Sequence, residues 1–421
     1  MILLFSLFFI FLLINMPVGF SMLCSSIIYS LIYGESLNLI LSRSISGTSS
    51  FTLLALGFFI LAGNLMNTGG ITNKIFDFCE KLIGWIPGGL AHANVLASVL
   101  FAGMSGSAVA DAGGLGSIEI KAMKDAGYDE EFAVAVTGGS SCIGPIIPPS
   151  ISAVVFAVAS GVSIGKLFLG GVIPGLTMAL CQMIYIVYIS KKRNYPKTEF
   201  PKLKEVGKSF VGSFPALITP LIILGSILFG FATPTEASVI AVVYALVLGF
   251  ITKELKFSDL PSLLNETITL TMSVLFIVGC ANAFGYIITT AQFPIKVANF
   301  FIKFITSKFM ALLIINIFLL IVGMLMESLS ALVILIPILM PIVLDFGIDP
   351  VHFGIIMILN ITIGMITPPV GMVLFTLVGV SDKNLEQITK AILPFLIINI
   401  VALLLVTYIP GLVTFLPNIL S

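Results

Sequence analysis

The chain carries little charge: only 10% of its 421 residues are Asp, Glu, Lys or Arg, against about a quarter in a soluble globular protein. A folded soluble chain of this size would have too little polar surface to stay wetted. The net charge is zero, which excludes a general electrostatic attraction to nucleic acid. His92 and His352 are the only histidines, and neither sits in HExxH or another ligand spacing, so a zinc-hydrolase site is excluded. The five cysteines (Cys24, Cys79, Cys142, Cys181, Cys280) are scattered without a CxxC pair. They read as small hydrophobes, not as a disulfide framework. One glycine-rich string, Gly161 to Lys166, is a residue short of a Walker loop and is followed by Leu167 in place of Ser or Thr. No nucleotide site is therefore expected. Asp111 and Glu119 are too far apart in sequence for an aspartate-rich diphosphate motif. The N-terminus lacks the basic region and clear cleavage site of a signal peptide, so it reads as a retained first span.

What is abundant is apolar. Hydrophobic residues make up 58% of the chain and the mean hydropathy is +1.17. They gather in runs of roughly 17 to 30 residues, long enough to cross ~30 Å of hydrocarbon as helices. The runs predict spans at 2–32, 50–67, 131–158, 170–190, 212–230, 236–252, 268–290, 351–378 and 391–415. Two further apolar stretches, about 89–120 and 309–343, are interrupted near their middles by polar or small residues and read as re-entrant hairpins. Amphipathic segments precede them at 71–85 and 294–305. These are expected to lie in the membrane interface, with Trp85 and the lysines at headgroup level. The chain is thus expected to be an all-α polytopic membrane protein.

A repeat at an offset of 220 organises these spans. Ile143-Gly144-Pro145-Ile146-Ile147-Pro148-Pro149 recurs as Ile363-Gly364-Met365-Ile366-Thr367-Pro368-Pro369. Asp125, Gly127 and Asp129 fall on Asp345, Gly347 and Asp349; Gly103-Met104 falls on Gly323-Met324, and Pro174 on Pro394. Several matches in order at one spacing mark a duplicated unit. Five membrane crossings separate equivalent points, so the copies are expected to be inverted. With the N-terminus inside and the C-terminus outside, only Arg43, Lys166, Lys296, Lys303 and Lys308 of the 20 Lys and Arg fall outside. This is the positive-inside bias, carried mainly by the basic loop in 191–211. The predicted division is 1–49 (first span and interfacial helix), 50–190 (first repeat), 191–211 (loop), 212–267 (central spans), 268–415 (second repeat) and 416–421 (tail).

Two constellations carry chemistry. The Pro148-Pro149 and Pro368-Pro369 breaks cannot continue a helix. Non-helical backbone at membrane depth is tolerated only where it is buried or lines a cavity, and freed carbonyls there suit a cation. Small polar residues flank the breaks: Thr137, Gly138, Gly139, Ser140 and Ser141 in copy one, Asn360, Thr362 and Thr367 in copy two. The hairpin tips, with Ser105 and Ser107 in copy one and Glu327, Ser328 and Ser330 in copy two, are each expected to face the break of their own repeat. Ser107 and Glu327 are offset-equivalent. Hydroxyls and carbonyls without a carboxylate cage suit a weakly held monovalent ion such as Na⁺, not Ca²⁺. Thr233 and Glu236 read as a capping box. Paired broken helices in inverted copies point to an ion-coupled carrier; a passive channel is less well supported, and a membrane enzyme would need a catalytic group that the sequence lacks.

The strings FFILAGNLMNTGGIT, GMSGSAVADAGGLGSIEIKAMKDAGYDEEFAVAVTGGSSCIGPIIPPS, ATPTEA and GMLMESLSALVILIPILMPIVLDFGIDPVHFGIIMILNITIGMITPPVGM resemble the large, DctM-like membrane subunit of tripartite ATP-independent periplasmic (TRAP) transporters over essentially the whole chain. The resemblance implies the ion-transporter-superfamily fold, with a scaffold domain and an elevator transport domain, in the bacterial inner membrane. It implies a separate small four-span subunit, a periplasmic substrate-binding protein, and Na⁺-driven import of an organic acid such as a C4-dicarboxylate or sialic acid. No cofactor is implied beyond the coupling ion. It places one Na⁺ at Ser105, Ser107, Ser141 and Gly144 and another at Ser328, Thr362, Gly364 and Thr367. Substrate is placed near Ser105, Ser107, Ser150 and Glu327. Some members carry Asp with a different neighbour where this chain has Met326-Glu327, a departure that bears on substrate choice. A stand-alone Na⁺/carboxylate symporter of the same fold is the nearest alternative.

Overall fold

The computed structural model describes residues 1–67, 70–293 and 307–420, and among them there is no strand. Long apolar runs become helices because a backbone in hydrocarbon must satisfy its polar groups within the segment. The helices are α1 (Ile2–Leu13), α2 (Val18–Tyr33), α3 (Leu37–Thr48), α4 (Phe51–Asn67), α5 (Ile71–Ile83), α6 (Gly89–Ser105), α7 (Ala108–Ala110), α8 (Gly116–Asp125), α9 (Glu130–Ser141), α10 (Ile151–Ser160), α11 (Ile164–Arg193) and α12 (Leu203–Leu228). They continue as α13 (Pro234–Ile251), α14 (Leu260–Thr290), α15 (Lys308–Leu325), α16 (Ser328–Asp345), α17 (Pro350–Gly364), α18 (Met372–Val380), α19 (Leu385–Tyr408) and α20 (Gly411–Leu420). A π-helical turn, Asp111–Leu115, joins α7 to α8. Among the described residues, 7 helices are long and apolar enough to cross a membrane, or up to 8 if the α3–α4 pair, bent by 52°, is one span.

Each apolar stretch interrupted in its middle is a helical pair: α6 with α7–α8, and α15 with α16. The spans carrying the double prolines are α9 with α10 and α17 with α18, and both Pro-Pro bonds are cis. The run expected as one first span, 2–32, is two helices. Asn15 takes a left-handed backbone (φ 64°) and Pro17 starts the second helix with no N–H to give to the first. The run at 391–415 likewise breaks at Pro410, and the segment expected as a tail stays helical to Leu420. The 71–85 segment forms amphipathic α5, tied to the segment after α13 by the Lys74–Glu254 ion pair and carrying an i,i+4 Lys81–Asp77 pair of its own, with Trp85 43% exposed at its end. The companion segment 294–305 lies outside the described residues. Thr233 and Glu236 form the expected capping box at the start of α13, with Thr233 N–H donating to Glu236 at 2.7 Å.

The arms of each pair contact the broken spans of both copies. The first arm of each pair packs on the broken span of its own copy, α6 on α9 and α15 on α17. The second arm touches both copies: α16 packs on α17 and on α10, α8 packs on α9, and α7 with the π turn packs on α18. This pattern recurs in both halves of the chain. It draws both tips and both breaks into one buried centre.

Candidate ion and substrate site

At the first junction three backbone segments meet. Gly106 turns the tip in a left-handed conformation (φ 59°), and a Cβ there would lie 2.8 Å from the Pro149 carbonyl oxygen. Gly144, in the break, has the carbonyl oxygens of Ser141 and Ser107 at 3.3 and 3.4 Å from the place its Cβ would take. These two carbonyls therefore lie beside Gly144, where Ser141 O accepts Gly144 N–H at 3.1 Å and Ser107 O accepts Asp111 N–H at 3.0 Å. Ser105 Oγ accepts from Ser107 N–H at 3.5 Å, and Ser107 Oγ caps α7 through Ala110 N–H at 3.4 Å. Ser141 Oγ donates to Gly138 O at 2.9 Å. Ser150, 1% exposed, caps α10 and donates to Pro145 O across the break.

The second junction is tighter. Gly323 and Gly364 touch backbone to backbone: a Cβ on Gly364 would lie 2.4 Å from the Gly323 carbonyl carbon. Gly371, absent from the sequence-predicted set, closes this junction. Its N–H donates to Met324 O at 3.3 Å, its φ is 52°, and the carbonyls of Thr367 and Met365 lie 2.9 and 3.0 Å from its Cβ position. The only sequence signal for it is a glycine two residues past the double proline. Thr362 and Thr367 Oγ1 donate to Ile358 O and Ile363 O at 2.7 and 2.8 Å. Ser328 Oγ turns instead to Glu327 Oε1 at 3.2 Å, and among the described residues no hydrogen bond joins it to Thr362, Gly364 or Thr367.

Glu327 is a helix cap. Its two carboxylate oxygens each accept a backbone N–H at 2.9 Å, from Leu329 and Ser330, at the start of α16. A carboxylate at a helix N-terminus satisfies orphan donors and faces the positive end of the dipole. Its offset partner Ser107 caps the corresponding arm, so equivalent positions do the same local work with different chemistry.

Polar groups knit the arms to the broken spans. In copy one, Asn94 Nδ2 donates to Thr137 Oγ1 at 2.8 Å, Ser140 Oγ donates to Asn94 Oδ1 at 2.8 Å, and Ser98 Oγ donates to Ser140 Oγ at 3.0 Å. In copy two, Asn360, at the Ser140-equivalent position, donates to Asn316 Oδ1 at 2.8 Å, and Asn316 donates to Thr407 at 3.0 Å. Gln182 and Asn399 both donate to Gly139 O, at 2.9 and 3.2 Å. Sequence reasoning missed this amide pair, because nothing local links α11 to α19. Asp111 and Glu119 are 2% and 1% exposed, with both oxygens of the first and Oε1 of the second accepting no hydrogen bond. The π turn adds a residue between them. It brings positions eight apart to within about 20° of one helical face. No group of three or more His, Cys, Asp or Glu able to hold a metal occurs among the described residues.

The comparisons agree with this architecture. The family profile described as "Tripartite ATP-independent periplasmic transporter, DctM component" matches residues 5–412. The sialic acid TRAP transporter large permease protein SiaM of Vibrio cholerae is 42% identical, over 96% of this chain and 95% of that protein. The sialic acid TRAP transporter permease protein SiaT of Haemophilus influenzae is 41% identical, over 97% of this chain but 66% of that longer protein. The C4-dicarboxylate TRAP transporter large permease protein DctM of Pseudomonas aeruginosa is 42% identical, over 87% of this chain and 86% of that protein. The Alcanivorax borkumensis YdaH transporter, solved as a structure of unusual topology, superposes with a TM-score of 0.68 over 89% of both chains at 14% identity. That likeness is one of fold.

Proposed function

The chain belongs to the DctM component of the TRAP transporters, and from that premise we propose that it translocates an organic acid across the inner membrane by Na⁺ coupling. The acid is of the sialic acid or C4-dicarboxylate class carried by the relatives' systems. A periplasmic binding protein delivers it, and a small membrane subunit completes the carrier. The observation that carries the ion reading is the first junction. There the Ser107 and Ser141 carbonyls lie beside Gly144, with no carboxylate cage, which fits one weakly held monovalent cation.

Ser105, Ser107, Ser141 and Gly144 hold that ion. Ser328, Thr362, Gly364 and Thr367, joined by Gly371, form the second ion site. That second site requires the Ser328 hydroxyl to leave Glu327. The ion, when bound, supplies the positive charge that closes a tip on its break. Substrate lies between the tips, near Ser105, Ser107, Ser150 and Glu327. The paired tips and breaks move as one body against a scaffold of 1–49 and the central spans in 212–267, with the N-terminus and the 191–211 loop cytoplasmic and the C-terminus periplasmic.

The test is uptake of labelled sialic acid or succinate by proteoliposomes holding this chain, its small subunit and the binding protein. Uptake is expected to require an inward Na⁺ gradient and no ATP. Strict ATP dependence, or uptake indifferent to Na⁺, refutes the mechanism. Uptake by the chain alone, without binding protein, makes it a stand-alone symporter instead.

A further inference from the structure

A cavity of about 590 Å³ opens where the end of α10 and the α10–α11 link meet the α3–α4 corner and the α12–α13 link. Its walls include Ser50, Thr52, Ser163, Gly165 and Lys166. The volume falls in the range of small-molecule sites, about 300–1,000 Å³. Lys166 and Arg193 stand near opposite ends of the 30-residue α11. At about 1.5 Å per residue this sets the cavity some 40 Å from the basic loop.

The charge of the cavity is unbalanced. Lys166 is exposed and makes no ion pair among the described residues. The start of α11 turns into the same space. Ser163 Oγ accepts from Lys166 N–H at 3.4 Å, leaving the first-turn N–H groups of Ile164 and Gly165 without intrahelical partners. A free ammonium, a helix N-terminus and two neighbouring hydroxyls, Ser50 and Thr52, make a cradle for an anion. The corresponding link in copy two is built the opposite way. There Lys124 pairs with Asp382 at 2.7 Å, Asp382 N–H donates to Glu130 at 3.0 Å, and Lys383 pairs with Glu131 at 3.5 Å. One link is neutralised by Asp382 and by Glu130 and Glu131 of the other copy; the other leaves a cation facing an open cavity.

We propose that this cavity binds a small organic carboxylate, held by Lys166 and the α11 N-terminus, as a station beside the transport path. Its role as a station rests on the transport reading above; the binding itself does not. The test is the rate at which an amine-acylating reagent modifies Lys166 in the full-length purified protein, read by peptide mass spectrometry. Sialic acid or succinate is expected to slow labelling of Lys166 severalfold and leave Lys308 and Lys383 unchanged, with glucose inert. Absence of protection, equal protection of all three lysines, or equal protection by inorganic phosphate overturns the proposal. In the complete transporter, Lys166→Gln is expected to raise the apparent KM roughly fivefold without changing kcat, the size of one solvent-exposed ion pair, and Lys166→Arg to restore it. A wild-type KM in Lys166→Gln overturns it. Wild-type uptake without protection defeats this proposal alone; protection without any Na⁺-driven uptake defeats the transport reading and leaves the site.

Discussion

Replacing Gly364 with Ala tests whether the second tip must close directly on its break. The added Cβ would lie 2.4, 2.5 and 2.8 Å from the carbonyl carbon, Cα and carbonyl oxygen of Gly323. Ordinary contact begins near 3.4 Å, so the two backbones must separate by about 1 Å. Overpacking costs about 1–3 kcal/mol where side chains can adjust. Here both sides are backbone, which puts the cost at about 3 kcal/mol. If closure and ion binding are coupled, that is roughly a hundredfold loss in Na⁺ affinity. Gly225→Ala is the matched control. It sits inside α12 with no atom within 4 Å of its Cβ position, and the change should be neutral or stabilise by about 0.5–1 kcal/mol. The assays are thermal unfolding of the purified protein and the Na⁺ concentration giving half-maximal uptake in the complete transporter. Gly364→Ala with wild-type melting temperature and wild-type Na⁺ activation would show that the junction is not built on this contact.

Glu327→Ala should cost about 1–2 kcal/mol of stability through loss of the α16 cap. Glu327→Gln, which keeps one acceptor oxygen, should cost less; thermal unfolding of both variants decides, and equal stability of Glu327→Ala and wild type rules the cap out. The α18–α19 link carries a pH signature. Lys124 holds the Asp382 carboxyl below its usual range, by hydrogen bond and charge. A depressed folded pKa gives stability that is present at neutral pH and lost as pH falls through the folded value. Hydrogen exchange at Ser381–Asn384 should therefore speed up on acidification in the wild type, and that acid-linked change should vanish in Asp382→Asn. Gln182→Ala and Asn399→Ala should each cost about 1–3 kcal/mol by unpairing buried polar groups. Because the two amides share the Gly139 carbonyl and bond each other at 2.8 Å, the double variant should cost less than the sum. Strict additivity in a double-mutant cycle would refute the shared clamp.

The sequence marked the breaks and tips because proline and glycine act locally. Adjacent prolines end α9 and α17 short of α10 and α18, whereas the spaced pairs Pro215/Pro220 and Pro337/Pro341 stay inside helices, and Gly106 and Gly371 adopt backbone that L side chains avoid. The 220-residue offset put Ser107 on Glu327, and both are N-caps, so the repeat conveyed a local role even where the residue type changed. What it did not convey is that each second arm packs on the other copy as well as on its own. That depends on surfaces some two hundred residues apart, with no periodic trace in an all-apolar helix. Asp111 and Glu119 were set aside on sequence distance, yet one inserted residue in the π turn brings them to a common face. The first span was over-read for the converse reason. Its apolar run is continuous in composition, and only Asn15 and Pro17 betray the turn within it.

The two junctions share a backbone plan but not a chemistry, and the difference lies where equivalent residues diverge. Copy one builds its arm-to-break contact from hydroxyls and one amide, with Ser98, Ser140, Asn94 and Thr137 in series. Copy two uses two amides and Thr407, leaving Asn360 Oδ1 without a donor. Copy one caps its second arm with the neutral hydroxyl of Ser107; copy two uses the carboxylate of Glu327. The Ser107 hydroxyl holds its helix through one long hydrogen bond, from Ala110 N–H at 3.4 Å, and can turn toward an incoming cation by giving up that bond alone. Glu327 is bound by two charge-assisted hydrogen bonds, each roughly twice the strength of a neutral one, and resists the same motion. The first junction is therefore the adaptable one and the second the fixed one. In the proposed ion sites, a cation that needs the Ser328 hydroxyl must first compete with Glu327 for it, so the second site should fill after the first.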